Sequence, residues 1–340
     1  MQKFLLGAFL LFSINSIACL YFKRDFDPKM FEEKEREAFM FHDGESANLI
    51  VKSAFQGKLP SELTWVLPLP SKPISFKEVN PEIFSNIRKI FLDQEASGGG
   101  MSKSRGFSEP SPTPKAMIQV HADVIVGNYK ITPIEILSED GGAELNQFLE
   151  KKGFFGMPSD IQKPYLKKGA YFLAITMSPK TTASGLVELK PLWIRYKSNE
   201  LRYPLRFTHD YRTFDITLYF YSFPDAMASF KGTEKASLPW GGVSWSGMAE
   251  ASKNYPELFK FLKPVTEAML LNKQVFKKYF DRLEEANNNR YSGVNLPGRN
   301  FDMWASNSFL YRIPYLGVNK NFKTRELKED PGIPMLVNSK

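Results

Sequence analysis

Hydrophobic and polar residues alternate along much of the chain between residues 37 and 222, and this two-residue period predicts β-strands. Asp43 and Gly44 separate the first two alternating segments and fit the tight turn of a hairpin. We expect Trp65 in the core and His42 at the exposed end of that hairpin. Alternation predicts strands at residues 37–41, 47–55 and 116–126, and a further strand is predicted at 130–137. A short apolar run closed by prolines predicts a buried strand at 63–69. Aromatic and branched residues predict strands at 171–177, 187–196, 203–209 and 213–222.

Apolar residues that recur at three- and four-residue spacing predict a smaller number of helices. Asn80 is a suitable cap for the first helix, and Gly153 a suitable left-handed terminator for the second. Residues 94–115 are rich in Ser, Gly, Pro and Lys, so we expect a mobile loop there. The predicted helices cover residues 80–91, 143–152, 256–262 and 265–287.

Together these elements predict an α+β fold, with a mainly antiparallel β domain, a few packed helices and a helical C-terminal region. We expect a signal peptide at residues 1–18, a β-rich domain at 19–230 and a helical region at 231–340. Hydrophobic residues make up 43% of the chain, which is ample for a core. The 45 basic and 37 acidic residues are interleaved rather than clustered, so no nucleic-acid partner is expected.

The first 18 residues have the layout of an export signal. Lys3 precedes an apolar run at residues 4–12, and polar residues from position 13 onward interrupt that run before it reaches the roughly 20 residues of a spanning helix. Ser16 and Ala18 provide the small side chains that a signal peptidase accepts. Cleavage after Ala18 would make Cys19 the first residue of the mature protein.

Cys19 is the single cysteine of the chain, so internal disulfides are excluded. Its position directly after the predicted cut leaves two alternatives. The sulfur carries a lipid that attaches the protein to a membrane, or the protein is secreted with a free thiol. Either alternative predicts a location in the cell envelope, as a periplasmic protein or an outer-membrane lipoprotein, or outside the cell.

His121 and Asp123 are candidate ligand contacts in the predicted strand 116–126. Two-residue alternation places them on one polar face, where a carboxylate could orient an imidazole for proton transfer or metal binding. The alternative is an exposed polar pair without a special role. His209 is expected in a turn. The opposite, core-facing side of this strand is predicted to carry Ile118, Val120, Ala122, Val124 and Val126.

Trp240 and Trp245 are the second pair of candidate ligand contacts. They lie in a glycine-rich segment at residues 239–247, where aromatic faces could stack on a sugar or another flat ligand. The alternative is that the two side chains hold the loop in place.

Motifs of known catalytic chemistry are missing from the sequence. It contains neither Gly-x-Ser-x-Gly nor His-Glu-x-x-His, and its three histidines are far apart. We therefore predict no catalytic residue, metal or cofactor. The favoured function is a binding or structural module of the cell envelope with a protein or glycan partner. The alternative is an extracytoplasmic hydrolase that uses carboxylates or His and Asp residues.

Several segments together resemble a bacterial family known as domain of unknown function 2330. They are residues 57–73 with Leu-Thr-Trp-Val-Leu-Pro-Leu-Pro, residues 126–129 (Val-Gly-Asn-Tyr), residues 145–177, and residues 203–206 (Tyr-Pro-Leu-Arg). The resemblance implies an exported bacterial protein of this architecture and carries no activity. Family members tend to have a second cysteine near the mature start, which this chain lacks.

Overall fold

A computed structural model describes residues 20–22, 30–43, 45–57, 59–95, 117–177, 186–207, 215–222, 241–242, 245–271, 309–315, 330 and 332–334. Ala18, Cys19, His209 and Trp240 lie outside these residues, as do the signal peptide and most of the predicted loop at 94–115. The predictions made for them are therefore untested by the structure.

The described residues form sixteen strands and five α-helices. The strands are β1 (Leu20–Phe22), β2 (Phe31–His42), β3 (Ala47–Gly57), β4 (Leu63–Leu69), β5 (Pro73–Glu78), β6 (Ile118–Val120), β7 (Val124–Val126), β8 (Tyr129–Ile136), β9 (Tyr171–Met177), β10 (Leu186–Glu188), β11 (Leu192–Tyr196), β12 (Glu200–Arg202), β13 (Asp215–Ser222), β14 (Gly241–Gly242), β15 (Phe309–Tyr315) and β16 (Gly332–Pro334). The helices are α1 (Glu82–Glu95), α2 (Gly142–Lys151), α3 (Ser159–Gln162), α4 (Trp245–Asn254) and α5 (Pro256–Leu271).

Most strands belong to two sheets, and the predicted predominance of β structure with a few helices is confirmed. The six-stranded sheet has the order β1-β4-β9-β8, with β6 and β7 both pairing along the outer side of β8. The eight-stranded sheet has the order β14-β15-β13-β2-β3-β11-β5, with β10 also paired to β3. Pairing is antiparallel throughout except between β13 and β2, which are parallel.

Helices cover one face of the eight-stranded sheet, and the six-stranded sheet lies against the other. On the helix side, Phe91 of α1 packs 5.8 Å from the Tyr219 ring, and Phe261 of α5 packs 5.8 Å from the Phe41 ring. On the sheet side, the Arg36 guanidinium lies 5.0 Å from the centre of the Trp65 ring. Trp65 is buried, as predicted.

The predicted hairpin is confirmed as β2 and β3, which pair from Phe31 with Gly57 to His42 with Ala47. These two strands are central in their sheet and buried on both faces, which explains why their apolar residues continue as a run instead of strictly alternating. The prediction of an exposed His42 is wrong. Its side chain is buried, with Nε2 at 2.8 Å from the carbonyl oxygen of Ser198.

The predicted stop of α2 at Gly153 is confirmed. Gly153 has a φ of 85°, the left-handed conformation that glycine adopts without strain. Its N–H donates to the Glu150 carbonyl at 2.9 Å, and the Phe154 N–H donates to the Leu149 carbonyl at 3.1 Å. This pair of bonds is the Schellman motif, and buried Phe154 and Leu149 add its hydrophobic contact.

Two predicted strands differ from the structure. The strand predicted at 187–196 is broken between Glu188 and Leu192, where Pro191 lacks the N–H that a ladder needs. The strand predicted at 203–209 is wrong in its described part, since Leu205–Phe207 forms a 3₁₀ turn just after Pro204. In both places the neighbouring aromatic and branched residues favour a strand, but a proline prevents the strand from pairing.

The described C-terminal residues contain strands as well as helices. β15 pairs with β13 in the eight-stranded sheet, and β16 pairs with β12. The two helices predicted at 256–262 and 265–287 form one helix, α5, as far as Leu271, and the later residues of that prediction lie outside the described part. Within the described part, each helix is too short or too polar to cross a bilayer.

Candidate functional site

An extra residue interrupts the outer edge of the six-stranded sheet. Val120 of β6 pairs with Ile134, and Val124 of β7 pairs with Ile131. Four residue steps on the edge therefore oppose three steps on β8, which is a β-bulge. The bulge reverses the side to which the following residues point, because side chains alternate along a strand.

His121 immediately precedes this bulge and is held by a carboxylate of the neighbouring strand. Its backbone N–H donates to the Pro133 carbonyl at 2.9 Å, and its Nε2 lies 3.1 Å from Glu135 Oε2. Tyr171 donates its hydroxyl to the same Glu135 oxygen at 2.7 Å. The imidazole also stacks on the Tyr171 ring, with centroids 5.6 Å apart and planes at 25°.

Hydrogen bonds set the charge of this cluster. The Tyr171 hydroxyl, and to a smaller extent His121, lower the pKa of Glu135. Burial, together with the Glu135 charge, raises the pKa of the Tyr171 hydroxyl. Glu135 is therefore ionised at neutral pH and accepts a hydrogen bond from His121 Nε2. The described residues provide no hydrogen-bond partner for the other ring nitrogen, Nδ1.

Asp123 does not contact His121, so the alternative in which this carboxylate orients the imidazole does not apply. Asp123 accepts a hydrogen bond from Thr132 Oγ1 at 2.5 Å and lies 2.8 Å from Lys130 Nζ. These partners lower the pKa of Asp123. Thr132 and Lys130 are separated from Glu135 by odd numbers of residue steps along β8. Their side chains therefore lie on the face of the sheet opposite to that of Glu135 and His121. The bulge thus places the two candidate residues, His121 and Asp123, on opposite faces of the sheet.

The predicted apolar core face of strand 116–126 is wrong for the same reason. Val120 is 44% exposed, Val124 37% and Ile125 68%. Because the register changes between β6 and β7, these side chains do not form one face. The edge thus presents three aliphatic side chains to solvent, with Val124 on the same face of the sheet as His121 and with Val120 and Ile125 on the opposite face.

The most buried charges lie on β2, a place that the sequence did not indicate. Arg36 donates from Nε and Nη2 to the two oxygens of Glu33, at 2.9 and 2.8 Å. Burial raises the pKa of Glu33, and the Arg36 charge opposes that rise. The signal that could have found this cluster is the charged run at residues 32–37, which continues directly into an apolar strand without a turn between.

A second buried carboxylate occupies the helix side of the same strand. Glu37 bonds to Arg88 of α1 and accepts a hydrogen bond from the Tyr219 hydroxyl at 3.2 Å. Lys52, its cross-strand neighbour, lies 4.0 Å away. Burial raises the pKa of Glu37, against the opposing effect of Arg88. This cluster ties α1 to the sheet.

Metal and aromatic candidates receive little support from the described residues. Within them, no three His, Cys, Asp or Glu side chains converge as a metal site. Trp245 begins α4 and so belongs to a helix instead of a loop. Its predicted partner Trp240 lies outside the described residues, so the aromatic pair remains a prediction.

Comparisons with known proteins identify a family without an assigned activity. No curated protein matches the chain. The crystal structure of baculovirus P35 is similar at a TM-score of 0.38 and 11% identity, covering 64% of this chain and 76% of that one. The crystal structure of the caspase-8/P35 complex is similar at a TM-score of 0.34 and 10% identity, covering 62% of this chain and 73% of that one. Similarities of this size carry no argument about function.

The family comparison is more informative. The model of domain of unknown function 2330, described as an uncharacterized protein conserved in bacteria, matches residues 15–237. This range includes all four segments on which the sequence resemblance rests, and the resemblance is confirmed. The chain therefore belongs to this bacterial family.

Proposed function

We propose that this chain is an exported protein of the bacterial cell envelope that binds a protein partner through the β6–β7 edge. One observation carries the proposal: Val120, Val124 and Ile125 expose their aliphatic side chains along one short edge, which also carries an imidazole that Glu135 holds in place. Exposed apolar side chains along an edge that also presents an ordered polar group are typical of an interaction surface.

The chemistry of this edge favours a protein partner over a glycan. Sugars are usually bound by aromatic faces, whereas the exposed residues here are branched aliphatics. The edge is also short and interrupted by the bulge, which disfavours continuous pairing with another strand. We infer contact through side chains, with His121 Nδ1 available for a hydrogen bond with the partner.

Export rests on the first 18 residues and locates the protein in the periplasm, in the outer membrane as a lipoprotein, or outside the cell. A lipid on Cys19 would hold the sheet against the membrane, because β1 begins at the next residue, Leu20. Mass spectrometry of the mature N-terminus tests both the export with cleavage and the lipid on Cys19. We expect a chain that starts at Cys19, and a retained Met1 would contradict export with cleavage. An unmodified Cys19 would leave the secreted form.

Site-specific photo-crosslinking tests the binding surface. The full chain carries p-benzoylphenylalanine at Ile125 or, as a control, at Leu92 of α1, which is 62% exposed. In intact cells we expect a discrete adduct from position 125 and none from position 92. The adduct should be lost when Val120 and Val124 are changed to Ser. Adducts of equal yield at both positions, or none at position 125, would contradict the proposal.

Hydrolysis is the second candidate function, and the His121–Glu135 contact is the observation that favours it. A carboxylate that accepts the Nε2 proton increases the basicity of Nδ1, which could then take a proton from water as a general base. A panel of p-nitrophenyl esters would reveal such activity. It should be lost in His121→Gln and retained in Asp123→Asn, whose side chain lies on the opposite face of the sheet.

A further inference from the structure

The charged part of β2 borders two buried polar groups whose hydrogen bonding is incomplete. Among the described residues, the indole N–H of Trp65 is enclosed and unpaired. The Ser53 hydroxyl is enclosed without a hydrogen bond of good geometry, although it interacts with Glu33 and lowers the pKa of that carboxyl. Leaving a buried donor unpaired costs about 1–3 kcal/mol, and more than nine in ten buried polar groups in proteins find a partner. Two such groups close together therefore require an explanation.

Both groups lie beside the same guanidinium. Ser53 is the direct cross-strand partner of Arg36 in the β2–β3 pairing, and directly opposed residues of an antiparallel pair share a face. Trp65 approaches Arg36 from the six-stranded sheet, with its ring centre 5.0 Å from the Arg36 guanidinium carbon. The two groups, which come from different sheets, thus belong to one polar cluster.

The chemistry of the cluster defines what it can bind. The indole N–H is only a donor, and the Ser53 hydroxyl both donates and accepts, so the ligand must accept at least one hydrogen bond. Glu33 already balances the charge of Arg36, and an anion would add an uncompensated charge to a buried space. A neutral oxygen acceptor fits these conditions.

We propose that water is bound inside the protein at this cluster, accepting a hydrogen bond from the Trp65 indole and bonding to the Ser53 hydroxyl. Buried waters commonly satisfy polar groups that the protein itself leaves unpaired, and they make about three hydrogen bonds each. Water at this position stabilises the polar beginning of β2 between two sheets. This proposal is independent of any partner at the β6–β7 edge.

Magnetisation transfer from water to the indole protons tests this proposal. The Trp65 Nε1 proton should show a direct nuclear Overhauser effect from long-lived water. Trp193 is the matched control, because its indole N–H donates to Asn48 Oδ1 at 2.9 Å and needs no water. The Ser53→Ala variant should weaken the Trp65 signal and leave Trp193 unchanged.

Three results would overturn the proposal: a Trp65 indole that shows no more water contact than Trp193, a Trp65 signal that Ser53→Ala leaves intact, or a crystal structure with a solute larger than water between the sheets. A Trp65→Phe variant identifies the resonance, since it removes that indole signal alone. Water density within hydrogen-bond distance of Trp65 Nε1 and Ser53 Oγ would support it.

Discussion

Glu33 and Glu135 each accept two hydrogen bonds from neighbouring side chains, yet their pKa values shift in opposite directions. Glu33 is 1% exposed between two sheets, and burial raises its pKa despite the two bonds from Arg36. Glu135 is 26% exposed at the sheet edge, and the bonds from Tyr171 and His121 lower its pKa. Burial, rather than the number of hydrogen bonds, determines the sign of the shift.

The comparison also separates a structural charge cluster from a candidate functional one. Arg36 and Glu33 are enclosed, so their interaction serves the fold and reaches no external ligand. At the edge, the same kind of interaction orients an imidazole that remains accessible to a partner. If this distinction is correct, removing one partner should affect stability most where the remaining charge is buried.

The largest effect is expected from Arg36→Met. This change leaves the Glu33 carboxylate buried without its counter-charge, which typically costs about 3–5 kcal/mol of unfolding free energy. Urea unfolding measures the loss. Lys34→Met is the matched control in the same strand, since Lys34 pairs with Glu32 where both side chains are nearly half exposed. It should change stability by about 0.5 kcal/mol or less.

The double variant Glu33→Leu with Arg36→Met sharpens this prediction. Replacing a buried ion pair by apolar residues is often neutral or stabilising, so the double variant should recover most of the lost stability. A single Arg36→Met variant as stable as Lys34→Met would mean that Glu33 is not held by Arg36 in the folded protein.

His42 extends the comparison to a buried base. Burial lowers the pKa of His42, against the bond to the Ser198 carbonyl and the nearby Asp43. Folding therefore favours the neutral imidazole, and stability should fall as the pH drops below the ordinary histidine value of about 6.5.

His42→Gln should remove this pH dependence between about pH 7 and 5 and lower stability at pH 7 by about 1–2 kcal/mol through the changed hydrogen bond. Thermal unfolding across this pH range measures both effects. An unchanged slope would show that His42 is protonated equally in the folded and unfolded states.

Tyr171→Phe should have a smaller effect at the edge. Losing the hydroxyl donor should raise the pKa of Glu135 and cost about 1 kcal/mol at pH 7, because hydrogen bonds to charged groups are worth more than neutral ones but this site is partly solvated. A carboxyl whose pKa is lower in the folded than in the unfolded protein stabilises the fold at a pH above its unfolded pKa, and this stabilisation is lost as the pH falls. The cost of Tyr171→Phe should therefore shrink below about pH 4.

Tyr129→Phe is the matched control for this prediction. Tyr129 donates its hydroxyl to the Lys190 carbonyl, an acceptor that does not titrate. Its loss should therefore cost stability equally at pH 7 and pH 3.5 in urea unfolding. Equal pH profiles for the two tyrosine variants would show that Glu135 gains nothing from Tyr171.

The sequence predicted the elements well where local rules decide them. The β2–β3 hairpin, the Asn80 cap of α1 and the Gly153 stop of α2 each follow from one or two residues whose backbone preferences are strong. Most strands of both sheets also follow from alternation, from a short apolar run, or from segments rich in aromatic and branched residues. Their order across the sheets depends on contacts between distant residues, for which the alternation pattern contains no information.

The candidate site was predicted only in part for a similar reason. The sequence selected His121 and offered Asp123 as its possible partner, because a continuous strand puts both on one face. A single bulged residue changed the partner to Glu135, which is 14 residues away and on another strand. Turn residues can be recognised in a sequence, whereas a bulge inside an apolar strand leaves no comparable signal.

Asp123→Asn should have the smallest effect of the series. Asp123 makes two polar contacts, the same number that Glu33 makes with Arg36 and that Glu135 makes at the edge, but its side chain is 36% exposed and that of Lys130 49%. Water can replace both contacts, so the urea midpoint should stay within error of the wild type at pH 7. A loss as large as that of Tyr171→Phe would mean that partner geometry outweighs burial, and the contrast between Glu33 and Glu135 would then need another cause.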